Sequence, residues 1–250
     1  MKLKYILLAI FFYLISLLIT LPAAVVSYFI PENSGLKVAV ASGTLWQGKA
    51  QQLVINNKYH LKQVKWDVDW LALLGLQFKV DLQFTNGRDG VSGKGDVMVG
   101  FSGLSVEQLL IDISAPELLS YINLPVPIDA QGNISLVIKE ASQGVPYCEQ
   151  IEGSLIWDNA YIESTMGNIA LQRVDVDLSC DNGQVSADIK QQSAQLDSQI
   201  SVLLSEGGAY QLSGLIKDSD KLAPTIKQAL PWIGSKNSNG ATVLNFKGKL

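Results

Sequence analysis

The chain has 250 residues, of which 48% are hydrophobic and 17% are charged, so it is more apolar than an ordinary soluble domain. Its formal net charge is −4 and its Lys and Arg residues form no basic block, which argues against nucleic acid as a partner. The length permits one large domain or two small ones.

The N-terminal segment is the longest apolar run in the sequence. After Lys2 and Lys4 no charged residue occurs before Glu32, and residues 5–21 are almost entirely apolar. A helix needs about 20 such residues to cross the hydrocarbon core of a bilayer. We therefore expect residues 1–31 to form a cytoplasmic tip and a single transmembrane anchor, with the N-terminus in the cytoplasm because the two lysines precede the span.

A cleaved signal peptide is the alternative for this segment. Signal peptides have an apolar region of about 7–15 residues followed by a small-x-small cleavage site. The apolar run here is longer, and Pro22 occupies a position where a small residue is needed if Ala24 is the cleavage position. Both alternatives export the rest of the chain.

The exported part is dominated by alternating apolar and polar residues. Every second residue is apolar in residues 77–84, 64–70 and 174–180. This period of two predicts half-buried strands in an antiparallel sheet with one face in water. Turn sequences such as Asn86-Gly87, Asp89-Gly90 and Asp181-Asn182-Gly183 separate further candidate strands, which are residues 133–139, 184–190, 199–204 and 210–217. The predicted fold class is mainly β: one N-terminal transmembrane helix followed by an antiparallel β-sheet domain, for which duplication is one interpretation.

Two short helices are expected between the strands. The first begins at Ser114, which forms a capping box with Glu117 and has a proline in its first turn. The second follows Ser219 and carries an apolar stripe that Pro231 and Gly234 end. We expect both helices to cover edges or ends of the sheet, because an apolar stripe on a short helix is usually core.

An internal repeat is one interpretation of the exported part. A shift of 110 positions aligns Gly43-Thr44-Leu45 with Gly153-Ser154-Leu155, and it also pairs Ala50 with Ala160. A duplication would divide the chain into β modules at residues 32–140 and 141–250. Chance similarity between two alternating segments is the alternative, and the two modules would then be one continuous domain.

The sequence contains two cysteines and few residues suited to catalysis. Cys148 and Cys180 are expected to form a structural disulfide, with two free thiols as the alternative, because an even cysteine count in an exported chain favours pairing.

The single histidine, His60, has no neighbour at a zinc-ligand spacing, and no nucleophile, phosphate-binding or dinucleotide motif occurs. Paired carboxylates such as Asp67 and Asp69 stay open as a site, although a solvated strand face explains them. We expect no enzymatic activity, no cofactor and no metal.

Several segments together resemble the protein N family of the type II (general) secretion pathway. The most specific is Gly43-Thr44-Leu45-Trp46-Gln47-Gly48. The others are Leu21-Pro22-Ala23, the Trp-containing strand at residues 66–70, Leu230-Pro231-Trp232 and the segment 240–248. Within the motif, Gly43 and Gly48 are expected in turns or bulges and Trp46 is expected to pack at a sheet end, so Gly43, Thr44, Leu45, Trp46 and Gly48 form a structural motif.

This resemblance implies a place in the Gram-negative cell envelope. Members of the family are single-pass inner-membrane proteins with a periplasmic domain, and they are accessory or structural subunits without enzymatic activity. The implied partners are other type II secretion system subunits and inner-membrane lipid. The alternative function is a periplasmic β-groove protein that binds or transfers lipid, since alternating strands can also build an open apolar groove for a lipid ligand.

Overall fold

The computed structural model of the chain describes residues 2–25, 30, 35–87, 90–101, 103–122 and 127–249. Within these ranges the α-helices are α1 (Lys2–Ile19), α2 (Ala115–Tyr121) and α3 (Pro224–Ile233), and 3-10 turns occur at Ala23–Val25, Ala72–Gly75 and Glu206–Gly208. The strands are β1 (Leu36–Gly43), β2 (Gln47–Ile55), β3 (Tyr59–Asp69), β4 (Phe78–Thr85), β5 (Ser92–Gly100), β6 (Gly103–Ser114), β7 (Ile128–Gln143), β8 (Cys148–Ser164), β9 (Gly167–Asp181), β10 (Gln184–Gln192), β11 (Leu196–Ser205), β12 (Ala209–Asp218), β13 (Ser235–Lys236) and β14 (Thr242–Lys249).

All of these strands belong to one antiparallel sheet. Each strand from β1 to β11 pairs with the next one in the sequence, β12 pairs with β14, and β13 lies outside β14. The sheet is therefore an extended meander whose described edges are β1 and β13. The prediction of a mainly β, antiparallel fold is confirmed.

The register places apolar residues opposite apolar residues from strand to strand. One such row begins on β3 and reaches β8 through Val68, Val80, Val97, Val106, Ala141 and Ile151. Directly opposite residues share a face of the sheet, so the row runs across six strands on one side. The alternation in the sequence thus gives the sheet one apolar face and one polar face.

The two short helices cover only parts of this apolar face. In α2, Ala115 is 2% exposed and packs with Ala130 and Ile134 of β7. In the second cluster, Leu230 of α3 packs with Leu196 and Leu222. Both helices therefore cover ends of the sheet, as expected.

The helix boundaries follow the predicted signals with one difference. Ser114 caps α2 by accepting a hydrogen bond from the Glu117 backbone N–H at 3.4 Å. The second helix, α3, contains Pro231 and ends at Ile233, directly before Gly234, so only the second of the two expected end signals marks its end. Because Pro231 lies in the last turn, its missing N–H removes one backbone hydrogen bond near the end of the helix.

Two further segments differ from the predicted strand pattern. Strand β3 ends at Asp69, so Trp70 does not continue the apolar face and its side chain is 63% exposed.

The loop expected from residue 140 starts later, because β7 extends to Gln143 and pairs with β8 on both sides of the expected module boundary. The division into modules at 32–140 and 141–250 stays a prediction. Its other boundary, at residue 31, lies outside the described residues, as does Asp89 of an expected turn.

The helix α1 has 18 residues, and every described side chain from residue 4 to residue 20 is exposed. Among the helices in the described ranges, none has both the length and the apolar character needed to cross a membrane.

Candidate functional site

The candidate site is the junction between the end of α1 and the β1–β2 hairpin. The backbone N–H of Leu45 donates to the Leu21 carbonyl at 2.8 Å, and Pro22 forms an isolated antiparallel bridge with Thr44. Ala23, in the 3-10 turn after α1, is completely buried. Backbone pairing therefore fixes the position where the apolar helix meets the sheet. We call this region the junction.

Gly43 and Thr44 shape the turn of the hairpin at the junction. Gly43 has φ +93°, a left-handed conformation that residues with a Cβ adopt at a cost, and an added Cβ would lie 2.6 Å from the Gln47 carbonyl oxygen. The Thr44 hydroxyl accepts a hydrogen bond from the Gln47 backbone N–H at 3.0 Å. Gly43 is the last residue of β1, lies opposite Gly48 and leads directly into the turn.

Gly48 has a different role from the turn or bulge expected for it. It lies inside β2, directly opposite Trp66 of β3, and a Cβ there would overlap the Trp66 ring. The Trp66 Nε1–H donates to the Leu45 carbonyl at 3.0 Å. Gly48 therefore makes room for an indole that lies over the strand and holds the 44–46 turn.

Trp46 connects the junction to α1. Its Nε1–H donates to the Leu18 carbonyl at 2.9 Å, and its own carbonyl accepts a bond from the Val68 backbone N–H at 2.6 Å. The Trp46 side chain is half-buried at the end of the sheet. The sequence indicated a place at the sheet end but not the bond to the helix, because nothing in a local pattern reports a partner 28 positions away.

The two faces of the sheet beside the junction form hollows of opposite character. The hollow on the apolar face has a volume of about 240 Å³ and is lined only by apolar side chains, which are Val38, Leu45, Ala50, Leu53, Val64, Trp66, Val68, Phe78, Val80 and Leu82. The hollow on the polar face has about 620 Å³ and includes Lys49, Lys65, Asp67 and Asp81 among its lining residues. The first hollow can hold a hydrocarbon group but offers no side-chain hydrogen bond to a polar one.

Cys148 and Cys180 lie away from the junction, on neighbouring strands. They form a disulfide with a Cα–Cα distance of 6.1 Å, as expected, and Cys148 is 4% exposed. The adjacent loop is tied by Tyr147, whose backbone N–H donates to Gly183 and whose hydroxyl accepts from the Gly208 N–H at 2.8 Å. No local sequence pattern indicated this role of Tyr147.

Three titratable groups of the described residues have a shifted pKa, and each of them lies in a contact within the fold. A hydrogen bond from Lys236 holds the pKa of Asp218 below its ordinary value, against the opposing effect of burial. A hydrogen bond to Asp96 raises the pKa of Lys79. Burial, helped by Glu117, raises the pKa of the Tyr121 hydroxyl.

His60 and the acidic side chains give no metal-binding geometry in the described part of the chain. His60 Nδ1 lies 2.7 Å from the Gln52 side-chain nitrogen. No group of three or more His, Cys, Asp or Glu side chains there is arranged to hold a metal ion. The described features of the junction are its hydrogen bonds to the end of α1 and the apolar hollow beside it.

Comparisons with known proteins agree with the resemblance of the motif. The family model of type II secretion system (T2SS) protein N matches residues 34–245. The type II secretion system protein N of Vibrio cholerae is 33% identical, over 94% of this chain and 93% of that protein. The proteins of the same name from Pectobacterium carotovorum and Aeromonas hydrophila are each 29% identical, over 88% and 100% of this chain and 87% and 100% of their own lengths. No solved structure matches the chain.

Proposed function

The chain belongs to the type II secretion system protein N family and so has a role in type II secretion, and we propose that this role is that of a non-enzymatic accessory subunit of the inner membrane. The observation that carries the proposal is the junction, where backbone bonds such as Leu45 N–H to the Leu21 carbonyl join an apolar helix to a large sheet. An element fixed in this way can hold the sheet at a defined place beside the membrane.

The proposed topology has the N-terminus in the cytoplasm and the sheet in the periplasm. Its support is the charge pattern: Lys2 and Lys4 precede residues 5–31, which carry no formal charge. The exposed apolar side chains of α1 favour surroundings of lipid. Alkaline phosphatase fused after Leu250 should be active, since it folds only when exported; an inactive fusion would place the sheet in the cytoplasm.

The proposed partners are other subunits of the secretion system, contacted through the sheet edges or the polar face. Edge strands offer backbone groups that a partner strand can pair with. We propose the β1 edge, where Val40 is 64% exposed, as the first place to test. A photoreactive amino acid at position 40 should crosslink another subunit in intact cells.

Gln199 provides the matched control for this experiment. It is exposed on β11, an interior strand whose backbone pairs with β10 and β12. A photoreactive residue at position 199 should give little of the same crosslinked product. Equal crosslinking at both positions, or a product that persists in cells lacking the other secretion subunits, would argue against a specific contact at the β1 edge.

Lipid binding is the second candidate function, and the apolar hollow favours it. The backbone groups of the strands that line the hollow already pair with each other within the sheet. A peptide needs hydrogen-bond partners for its own backbone, whereas a hydrocarbon chain needs none, so the hollow fits a hydrocarbon chain better. Photoreactive residues at Leu53, which lines the apolar hollow, and at Lys49, on the polar side of the same strand, separate the two faces. Lipid found by mass spectrometry on the position-53 variant alone would support lipid binding, and its absence there would count against it.

A further inference from the structure

We propose that the loop edge of the sheet contacts the membrane surface beside α1. The loop edge is the end of β1–β6 where the chain turns at residues 44–46, 70–77 and 101. The proposal rests on the proposed anchoring of α1 and adds a second contact with the same bilayer. Its occupant is the outer part of the lipid leaflet, which would receive four apolar side chains, namely Trp70, Leu71, Leu76 and Phe101.

The strand directions place these turns at one edge. Gly48, near the start of β2, lies opposite Trp66, near the end of β3. The next pairs continue this order, because Asp69 lies opposite Lys79 at the start of β4, and Phe78 lies opposite Val99 at the end of β5. The β1–β2, β3–β4 and β5–β6 turns are therefore neighbours on the side of the sheet that α1 contacts.

The side chains on this edge are unusually exposed for their size. Phe101 is 92% exposed, Leu76 69%, Trp70 63% and Leu71 56%. Single exposed apolar residues are normal, but a contiguous group of them marks a surface that meets a partner or a membrane. The group also continues into the strand ends, where Val99 is 49% exposed.

The junction fixes this edge relative to α1. Trp46, in the first turn of the loop edge, donates to the Leu18 carbonyl, and Leu45 donates to the Leu21 carbonyl. The medium that surrounds the last turn of α1 is therefore close to the loop edge. The proposal covers only the turns of β1–β6, because these strands lie nearest to the hairpin that contacts α1.

The chemistry of the loop edge favours a lipid surface over a protein strand. The turn backbone is already bonded internally, because the Asp69 carboxylate accepts from the Leu71 N–H at 2.9 Å and the Gln77 N–H donates to the Ala72 carbonyl at 3.1 Å. Tryptophan and leucine side chains at such a position are typical of the membrane interface. Lys79, a cation near this edge, is 2.7 Å from Asp96, so its charge is already paired within the protein. The proposed contact with lipid is therefore an apolar one and does not depend on anionic headgroups.

The disulfide makes a clean labelling experiment feasible. The only two cysteines are joined to each other, so a cysteine introduced elsewhere is the single free thiol. The full chain with Phe101→Cys is labelled with an environment-sensitive fluorophore and reconstituted into phosphatidylcholine vesicles. The control is Met166→Cys, since Met166 is 44% exposed in the β8–β9 turn at the opposite edge of the sheet.

The proposal predicts opposite quenching at the two positions. Nitroxide lipids should quench the label at position 101 several-fold more than the label at 166, and aqueous iodide should do the reverse. Molar salt should leave the pattern unchanged because the contact is apolar. Leu76→Cys should behave like Phe101→Cys, which guards against a local defect at one site.

Flotation of the vesicles separates this proposal from the proposed anchoring. If the protein floats with the vesicles but iodide reaches positions 101 and 166 equally, the loop-edge contact is refuted and the anchor is retained. If position 101 is protected from iodide yet unaffected by nitroxide lipids, a protein surface or a second copy covers it, and the lipid contact is also refuted. Failure to float would refute the anchor itself.

Discussion

The indole of Trp66 lies across Gly48 on the neighbouring strand, and its Nε1–H donates to the Leu45 carbonyl at 3.0 Å. On the other side of the same turn, Trp46 donates to the Leu18 carbonyl at 2.9 Å. The Trp66 indole thus holds this turn from within the sheet, and the Trp46 indole, which belongs to the turn, bonds the turn to the end of α1. The stability of the sheet and its attachment to the helix can therefore be tested by separate substitutions.

Gly48→Ala should destabilise the sheet by about 1–3 kcal/mol, because the new methyl group must displace the Trp66 ring in a packed contact. Urea unfolding of the detergent-solubilised chain, followed by tryptophan fluorescence, measures the change. The control is Gly75→Ala, where no atom lies within 4 Å of the added Cβ. A similar loss for both variants would mean that the cost does not come from the indole.

Trp46→Phe should loosen the attachment of α1 while changing global stability by only about 1 kcal/mol, since an aromatic side chain is kept and one hydrogen bond is lost. The measurement is amide hydrogen exchange, which should become faster at Leu45, whose N–H pairs with the Leu21 carbonyl. Trp232→Phe is the control because Trp232 is 85% exposed. Unchanged exchange at Leu45 would show that the indole bond does not hold the junction.

The sequence predicted the parts of this fold that depend on local patterns. Alternation in residues 77–84 gave β4, and the Ser114–Glu117 capping box gave α2, because both signals lie within a few neighbouring residues. The exposed position of Trp70 was missed, because the Asp69 carboxylate accepts from the Leu71 N–H and the chain turns there, while the alternation alone would continue the strand.

The candidate site was only partly predictable, for a physical reason. The motif located the turn at Gly43 and placed Trp46 at the sheet end. The space above Gly48 depends on which residue of β3 lies opposite it, and this register follows from the whole hairpin. The contact of Trp46 with Leu18 depends on the path of the chain through the junction. Sequence patterns therefore identify such residues before they identify their partners.

Asp218→Asn should destabilise the protein by about 1–2 kcal/mol at pH 7, because the side chain is 12% exposed and accepts a hydrogen bond from the half-exposed Lys236. The pKa of Asp218 is lowered in the folded chain from its ordinary value of 3.8. A lowered pKa gives stability that is present above the unfolded pKa and is lost as the pH falls through the folded one. The difference between wild type and variant should therefore shrink below about pH 4.

Asp220→Asn is the control for this pH dependence. Asp220 is fully exposed and contacts Lys227 at 3.3 Å, so its replacement should leave the free energy of unfolding nearly unchanged. Urea unfolding of the wild type and both variants at pH 7 and pH 3 provides the four differences in the free energy of unfolding between variant and wild type. A loss for Asp218→Asn that is equally large at pH 3 would mean that its carboxylate charge is not what stabilises this end of β12.

Removal of the disulfide should lower the free energy of unfolding by about 3–4 kcal/mol, since the bond closes a loop between residues 32 positions apart and restricts the unfolded chain. The double variant Cys148→Ser/Cys180→Ser and the reduced wild type should show the same loss. Reductant should have no effect on the double variant, which serves as the control for other actions of the reagent. Each stability is measured by urea unfolding with and without reductant.

The same bond tests the compartment. Disulfides persist outside the cytoplasm, so thiol labelling of denatured, unreduced protein from cells should find the pair protected. A variant retained in the cytoplasm should instead label at both cysteines. Two reactive thiols in the wild-type protein would contradict both the disulfide and the periplasmic location of the sheet. Because no Cys-x-x-Cys sequence is present, surviving Cys148→Ser molecules should still support secretion, although their abundance should fall with the lost stability.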